Sequence, residues 1–206
     1  METTPAHLPD ERAEGTLAAL DIETDGLDPK VNRILAIAVV SDGEVSYRIS
    51  DDETSMLQWL EDTLSGPLKG VTVVTWNGEE FDLPFLMERY SHHAVPTSLH
   101  LSPTTKIGKY GNPRFEGNWG ETRHIDIAPM FKSVAEELGI PWSLKPVSRR
   151  VLGVNPIEVN REGQAMAKMD REKLKAYVAS DAVVTRLLAC RVLCPEDSTP
   201  TCLAAD

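Results

Sequence analysis

Apolar and β-branched residues occur in three short runs near the start of the chain. The runs cover residues 16–24, 33–40 and 45–49, and the segments between them are rich in Gly, Asp and Pro. Runs of this length, separated by turn-forming residues, are typical of β-strands joined by short connections. The pattern predicts a three-stranded antiparallel meander over residues 16–49.

Further along the chain, apolar residues recur at helical spacing. Met56, Leu57, Leu60 and Leu64 predict a helix over residues 52–64. The other predicted elements are a buried strand over 71–75, a helix over 79–90, a long loop with a β-hairpin over 91–121, a strand from 123, helices over 128–138 and 143–151, and a long helix over 171–193 with Asp170 as its N-cap.

These elements predict an α/β fold with a mixed central sheet, in which the meander is extended by further strands and helices cover both faces. We expect one domain over residues 15–193, preceded by a flexible N-terminus (1–14) and followed by a disordered tail (194–206). Ligands of such sheets bind at strand ends, which is where functional residues are expected.

Charge does not settle the class of ligand. The formal net charge of −11 argues against a strongly basic surface of the kind that binds nucleic acid. However, residues 1–62 hold 15 Asp and Glu against 4 Lys and Arg, whereas residues 100–150 hold 5 against 8. Bound metal would neutralise some of the acids, so the net charge does not exclude a nucleic-acid substrate.

The three cysteines, Cys190, Cys194 and Cys202, do not form a disulfide framework, which favours a reducing compartment. Zinc binding at Cys190 and Cys194 is an alternative, but buried or idle thiols are favoured because no His lies nearby. The sequence has no signal-peptide pattern and no apolar run long enough to span a membrane. We therefore expect a cytoplasmic protein without a membrane segment.

Asp21 and Glu23 are the first candidate functional residues. They are two apart on a predicted buried strand, so their side chains point to the same face. Two neighbouring carboxylates repel each other and lose hydration, and divalent cations commonly compensate for both effects. The pair predicts a metal site.

Two later segments offer companion acids. Asp82 follows a strand-to-helix turn at Asn77 and Gly78, although a solvated acidic helix face is the alternative. Tyr177 and Asp181 share one face of the long C-terminal helix, and a plain polar helix face is again the alternative. Asp181 is predicted to lie close to the apolar side of that helix, where an acid needs a partner.

The three segments resemble the exonuclease motifs of the DEDD superfamily in its tyrosine branch. They are Asp-Ile-Glu-Thr at 21–24, Asn-Gly-Glu-Glu-Phe-Asp at 77–82 and Tyr-Val-Ala-Ser-Asp at 177–181, and their order and spacing also match. The chain is most similar to the 3′–5′ proofreading domain of family B DNA polymerases, because residues 109–115, 124–127 and 143–153 resemble it too. The likeness covers residues 16–193 and implies a ribonuclease H-like fold, here as a stand-alone exonuclease.

The resemblance also implies roles for individual residues. Asp21, Glu23, Asp82 and Asp181 would hold two divalent metal ions, Mg²⁺ or Mn²⁺, and Tyr177 would orient the attacking water. The residues implied to contact the terminal nucleotide are Thr24, Leu27, Asn77 and Phe81. Thr24 could equally be a strand-end hydroxyl and Leu27 a turn hydrophobe, whereas Asp126 is expected to have a supporting part.

Aromatic residues and the hairpin add further expectations. Trp76 and Phe85 are expected in the core. The hairpin carries both cations and rings, as single-strand binding surfaces do, although an ordinary solvated loop is the alternative. The hairpin residues in question are Lys106, Lys109, Tyr110, Arg114 and Phe115.

The predicted function is a metal-dependent 3′–5′ exonuclease that acts on 3′ ends of single-stranded or frayed DNA and releases nucleoside 5′-monophosphates. One alternative is a 3′–5′ exoribonuclease that trims RNA, because no residue visibly recognises the 2′-hydroxyl. The other is a nucleic-acid-binding module that has lost catalysis. The sequence does not indicate protein partners.

Overall fold

A computed structural model describes residues 17–108, 111–158 and 166–194 of the chain. The predicted flexible N-terminus and, apart from Cys194, the predicted tail lie outside these residues. The strands are β1 (Leu17–Thr24), β2 (Ile34–Ser41), β3 (Glu44–Ile49), β4 (Thr72–Thr75), β5 (Leu99–Ile107), β6 (Pro113–Trp119) and β7 (Thr122–Asp126). The α-helices are α1 (Glu53–Ser65), α2 (Asp82–His92), α3 (Lys132–Leu138), α4 (Leu144–Leu152) and α5 (Arg171–Leu193).

The strands form one seven-stranded mixed sheet in the order β3-β2-β1-β4-β7-β6-β5. The first three strands are the predicted antiparallel meander. The three central strands β1, β4 and β7 run parallel to one another, so their C-terminal ends meet at one edge of the sheet. This edge brings the end of β1, the turn after β4 and Asp126 close together.

Helices cover both faces of the sheet, as predicted, and each face has its own core. Along β1, Leu17 and Ala19 face the side that packs against α3, α4 and α5. Ala18, Leu20 and Ile22 alternate to the opposite side, which packs against α1 and α2. Continuing this alternation places the side chains of residues 21 and 23 on the α5 side.

Two predicted elements were wrong in extent. Helix α2 begins at Asp82 and not at residue 79, because residues 79–81 form a turn fixed by contacts to a neighbouring strand. The predicted β-hairpin is present, but its strands cover most of residues 99–119, where a loop was expected, since β5 and β6 continue the central sheet. Pro103 lies within β5, an edge strand, where a missing N–H is tolerated.

The structure differs from the prediction again at residues 128–138. Ala128–Phe131 is a 3₁₀ turn and only Lys132–Leu138 is α-helical. The long C-terminal helix matches its predicted bounds, and Asp170 caps it by accepting a hydrogen bond from the Glu172 amide. No helix among the described residues combines the length and the apolar character that crossing a bilayer requires.

Candidate active site

Three of the predicted acids converge at the sheet edge. Asp21 and Glu23 extend from the end of β1, and Asp181 extends towards them from α5; one carboxylate oxygen from each lies within 4.8 Å of the others. A register shift between Glu23 and Thr24 interrupts the pairing of β1 with β2 at this point. Such irregularities redirect side chains near functional sites. We name Asp21, Glu23 and Asp181 the acid cluster.

Asp82 is hydrogen-bonded to the strand that carries two residues of the acid cluster. It is the first residue of α2 and is buried, and its Oδ1 accepts a hydrogen bond of 3.3 Å from the amide of Ile22. Ile22 lies between Asp21 and Glu23 in the chain, so Asp82 is fastened to the strand that carries them. Its burial is inconsistent with a solvated acidic helix face.

The electrostatics of this region disfavour ionised carboxylates. Burial raises the pKa of Asp21 well above its ordinary value, and the charges of Glu23, Asp82 and Asp181 raise it further. Asp21 Oδ2 is buried and has no hydrogen-bond partner within the described part of the chain. Burial, followed by the charge of Asp126, raises the pKa of Asp82 to about 7. The site therefore has more negative charge than the surrounding protein compensates.

The arrangement fits a divalent cation. Its closely spaced donors are carboxylate oxygens, which are the ligands that Mg²⁺ and Mn²⁺ prefer. The buried, unpartnered oxygen of Asp21 is a position where a cation would supply the missing partner. The geometry does not distinguish one of these ions from the other.

Tyr177 and Lys145 complete the surroundings of Asp181. Tyr177 is buried one helical turn before Asp181, so the polar-face alternative was wrong. The Lys145 ammonium lies 3.2 Å from Asp181 Oδ1 and 3.8 Å from the centroid of the Tyr177 ring. Lys145 thus places a positive charge beside Asp181. This charge lowers the pKa of Asp21 and so offsets part of the increase caused by burial and the neighbouring acids.

Sequence reasoning missed Lys145 as a site residue. One signal was available, since a lysine in the first turn of a helix opposes the helix dipole. A cation in that position indicates that some other contact compensates for the unfavourable interaction. The compensating contact is with Asp181 on another helix, which no local pattern specifies.

Asp126 holds the turn that leads into Asp82, the supporting part expected of it. Its Oδ1 accepts hydrogen bonds from the amides of Asn77 and Ala128, and its Oδ2 accepts one from the Glu79 amide. Arg114 donates to Asp126 Oδ2 at 2.8 Å and also to Glu79 Oε2 at 2.9 Å. These contacts fix the backbone immediately before α2.

The prediction for Arg114 was therefore wrong. This side chain is only 4% exposed and is paired with two acids, so it cannot serve as a solvent-facing cation of a strand-binding surface. Lys106 is exposed and Phe115 is half-buried. Lys109 and Tyr110 lie outside the described residues.

A second buried contact supports the same turn. Thr75 Oγ1 is hydrogen-bonded to His124 Nε2 at 2.8 Å and accepts a bond from the Gly78 amide at 3.1 Å. A Cβ atom on residue 78 would lie 2.1 Å from Thr75 Oγ1, so only glycine fits there. Asn77, with a φ of 67°, supplies the left-handed conformation that reverses the chain.

The four residues predicted to contact the terminal nucleotide lie at the end of β1 and on the segments that follow β1 and β4. The Thr24 hydroxyl donates to the Gly26 carbonyl at 2.6 Å, which agrees with a strand-end hydroxyl. Leu27 is 83% exposed on the β1–β2 connection, and Asn77 lies in the turn after β4. Phe81 contacts buried Phe85 with tilted rings whose centroids are 5.4 Å apart. Contact of these four residues with substrate remains a prediction.

Trp76 and Phe85 have the predicted core role. Phe85 is buried, and Trp76 packs partly buried against Phe131. The cysteines Cys190 and Cys194 are half-buried near the end of α5, and Cys202 lies outside the described residues.

Comparison with known proteins agrees with the fold. The sequence model described as the RNase_H superfamily matches residues 18–181. A family B DNA polymerase from the hyperthermophilic archaeon Pyrobaculum calidifontis has a similar structure, with a TM-score of 0.66 and 18% sequence identity. The match covers 86% of this chain and 24% of the polymerase chain, and it shows a shared fold.

Curated relatives are catalytic subunits of DNA polymerase epsilon. One from Arabidopsis thaliana is 28% identical over 86% of this chain, and one from Schizosaccharomyces pombe is 28% identical over 90%. The Saccharomyces cerevisiae relative is 26% identical over 89%. The chain spans about a tenth of the length of each of these relatives.

Proposed function

Since the chain belongs to the RNase_H superfamily, we propose that it is a metal-dependent 3′–5′ exonuclease that acts on single-stranded or frayed DNA. The observation that carries the proposal is the convergence of Asp21, Glu23 and Asp181 within 4.8 Å, with Asp82 fastened to the same strand. The products would be nucleoside 5′-monophosphates.

Divalent cations bound by these carboxylates would lower the pKa of a water molecule and neutralise charge on the phosphoryl oxygens. Asp21, Glu23 and Asp181 would hold them directly. Asp82 would join as a fourth ligand from the N-terminus of α2, and its bond to the Ile22 amide keeps it against β1.

The remaining residues of the site would orient the attacking water and stabilise charge. Buried Tyr177, one turn from Asp181, would orient the attacking water, and Lys145 would stabilise negative charge beside it. Asp126 and Arg114 keep the Asn77–Glu79 turn in place, so that Asp82 has one fixed position. Such fixed donors and acceptors lower the barrier because little reorganisation is needed during reaction.

Substrate binding would involve the two loops at this edge. Exposed Leu27 on the β1–β2 connection and Phe81 before α2 lie beside residues of the acid motifs and offer apolar surface to a terminal base. The names of the curated relatives, which are DNA polymerase subunits, favour DNA over RNA as the substrate.

The test uses 5′-labelled single-stranded DNA and RNA of the same sequence, each with a free or a blocked 3′ end, in Mg²⁺ or Mn²⁺. We expect a ladder of shortened DNA products only when the 3′ end is free, with nucleoside 5′-monophosphates released. Asp42→Asn, which changes an exposed acid in the β2–β3 turn, is the matched control for acid substitutions in the cluster.

Cleavage of RNA but not DNA would show that the substrate is RNA and would leave the proposed hydrolysis mechanism unchanged. Oligonucleotide binding without cleavage in either metal would contradict the proposal and indicate a binding module. Cleavage that ignores a blocked 3′ end would contradict the direction.

A further inference from the structure

A short segment after α4 lies across α4 and α5 beside the acid cluster. Residues 153–158, which we name the strap, begin at Gly153, whose φ of 71° ends the helix. Pro156 is buried and Val154 packs against the core of the α5 face, while Ile157 is exposed. The strap is therefore anchored by apolar contacts before it reaches Ile157.

Polar contacts fasten the end of the strap to both helices. The Ile157 amide donates to Ser180 Oγ on α5 at 3.0 Å. The Ile157 carbonyl accepts a short hydrogen bond from Lys145 Nζ on α4. Glu158 forms an ion pair with Arg149, one helical turn after Lys145. Three contacts at two consecutive residues indicate a fixed position for the Ile157 carbonyl.

This geometry divides the Lys145 ammonium between two acceptors. One is the strap carbonyl of Ile157, and the other is Asp181 Oδ1 at 3.2 Å. The Lys145 side chain is only 18% exposed, so water has little access to its ammonium and competes weakly with these two acceptors. Any change that weakens the bond to Ile157 leaves Asp181 as the main acceptor for the ammonium.

An ammonium and a divalent cation compete for the same carboxylate, since both are positive and cannot approach it closely together. We propose that the strap is a positioning element of the acid cluster: Ile157, held by Ser180, retains the Lys145 ammonium and so raises the affinity of the cluster for a divalent cation. The inference rests on the proposed function, because it assumes that the cluster binds such a cation.

The test is Mn²⁺ binding to the full chain without nucleic acid, measured by titration calorimetry and by the electron paramagnetic resonance of free Mn²⁺. Lys145→Met removes the competing charge and is expected to tighten binding at least about fivefold. Ser180→Ala releases the strap and is expected to weaken binding about two- to fivefold, the size of one polar contact. Glu158→Gln, which breaks the ion pair with Arg149, should act in the same direction.

The deciding comparison is the double variant. If Ser180 acts through the strap and Lys145, then Ser180→Ala has no effect on Mn²⁺ binding in the Lys145→Met background. Ser180→Thr keeps the hydroxyl and should restore wild-type affinity. Ser91→Ala, an exposed helical serine on α2, is the matched control and should leave affinity unchanged. Circular dichroism of each variant reports whether the fold is retained.

Two results would overturn the inference. One is a loss of affinity from Ser180→Ala that is equal in the wild-type and Lys145→Met backgrounds, and the other is weaker binding by Lys145→Met itself. If the wild-type chain binds no Mn²⁺ at all, the metal-dependent function itself is contradicted, which is a different outcome from either of these.

Discussion

The carboxylate of Asp21 lies where its charge is unfavourable for the folded chain. Burial and three neighbouring acids raise its pKa, and one of its oxygens has no hydrogen-bond partner in the described structure. Groups under such strain are concentrated at functional sites, since selection for activity keeps them despite their effect on stability. The charge of Asp21 is therefore expected to lower the stability of the metal-free fold and to be required for activity.

We expect Asp21→Asn to raise the free energy of unfolding of the metal-free protein at pH 7.5, because burial and the neighbouring acids disfavour the ionised carboxylate. The variant loses the charge that the fold disfavours but keeps the shape of the side chain. Urea denaturation in EDTA measures the effect. A variant less stable than the wild type would contradict the electrostatic explanation of the cluster.

Asp126 differs from Asp21 in its contacts: burial raises its pKa as well, but its carboxylate accepts hydrogen bonds from Arg114 and three amides. Removing its charge in Asp126→Asn leaves buried Arg114 with one partner fewer. We expect a loss of about 2–3 kcal/mol in the same denaturation experiment. A loss below about 0.5 kcal/mol would show that the network does not stabilise the turn before α2.

His124 makes stability depend on pH. Burial, followed by the charge of Arg114, lowers its pKa from 6.5 to about 3, so the folded chain keeps it neutral while the unfolded chain takes up a proton below pH 6.5. The stabilisation that neutral His124 gives the folded chain is thus fully present above pH 6.5 and is lost progressively as pH falls towards 3. Between pH 7.5 and 5.0 the loss is about 2 kcal/mol.

Comparison with His124→Gln isolates this effect from the titration of the acids. Urea denaturation of both proteins at pH 7.5 and 5.0 should show the wild type losing about 2 kcal/mol more than the variant over this interval. Parallel losses in the two proteins would contradict the assignment of a neutral, buried His124.

At the scale of elements, a buried charged network holds the connection between β1 and β2. Arg89 on α2 donates to both carboxylate oxygens of Glu53 on α1, and His93 also contacts Glu53. Arg89 Nη1 donates to the Pro29 carbonyl, and Glu53 Oε1 accepts from the Ile34 amide. The network thus binds the connection that carries Leu27 at two points.

We expect Arg89→Met to lower the free energy of unfolding by about 3–5 kcal/mol, because it leaves Glu53 buried without its main partner. Arg171→Met is the control, since its pair with Asp51 is exposed and should contribute less than about 1 kcal/mol. Thermal or urea denaturation of both variants checks the difference. Equal losses would show that burial does not determine the contribution of these pairs.

Elements specified by neighbouring residues were predictable from the sequence. The bounds of α5 and its Asp170 cap follow from local periodicity and capping chemistry. The start of α2 was wrong because Glu79 is held by Arg114 and Asp126 from distant strands. Lys145, Ser180 and Ile157 were missed for the same reason, since their contacts depend on how α4 and α5 pack and not on spacing along the chain.

At the scale of the whole molecule, the acids outnumber the cations, and several cations are occupied by acids of the same chain. These are Arg89 with Glu53, Arg114 with Glu79 and Asp126, Lys145 with Asp181, and Arg149 with Glu158. These four cations are already paired within the chain, so they are poorly placed to bind the phosphates of a substrate. For the proposed exonuclease, this pairing predicts contacts with only one or two phosphates near the terminal nucleotide.

The salt dependence of oligonucleotide binding measures the number of phosphate contacts directly. Contacts with one or two phosphates predict that raising KCl from 50 to 200 mM weakens the binding of a single-stranded oligonucleotide about three- to sevenfold. Fluorescence anisotropy with a labelled oligonucleotide in Ca²⁺, or KM measured at several salt concentrations, provides the slope. A loss of a hundredfold or more would indicate an extended basic binding surface.

The order of the three acid motifs already indicated which residues would meet, and strand alternation explained why Asp21 and Glu23 share a face. The fold class and the resemblance to the exonuclease region of DNA polymerases were confirmed, whereas the stand-alone form stays a prediction. What the sequence could not specify was the charge balance around the acids, because Lys145 reaches them from a separate helix.

The most direct measurement is the rate of release of the 3′-terminal nucleotide from single-stranded DNA in Mn²⁺ by the wild type, Asp21→Asn and Asp42→Asn. We predict release by the wild type and Asp42→Asn, abolition by EDTA, and a loss of about 10³-fold or more in Asp21→Asn, although that variant folds at least as stably as the wild type. No release by the wild type, or an undiminished rate in Asp21→Asn, would contradict the assignment of the acid cluster as the catalytic metal site.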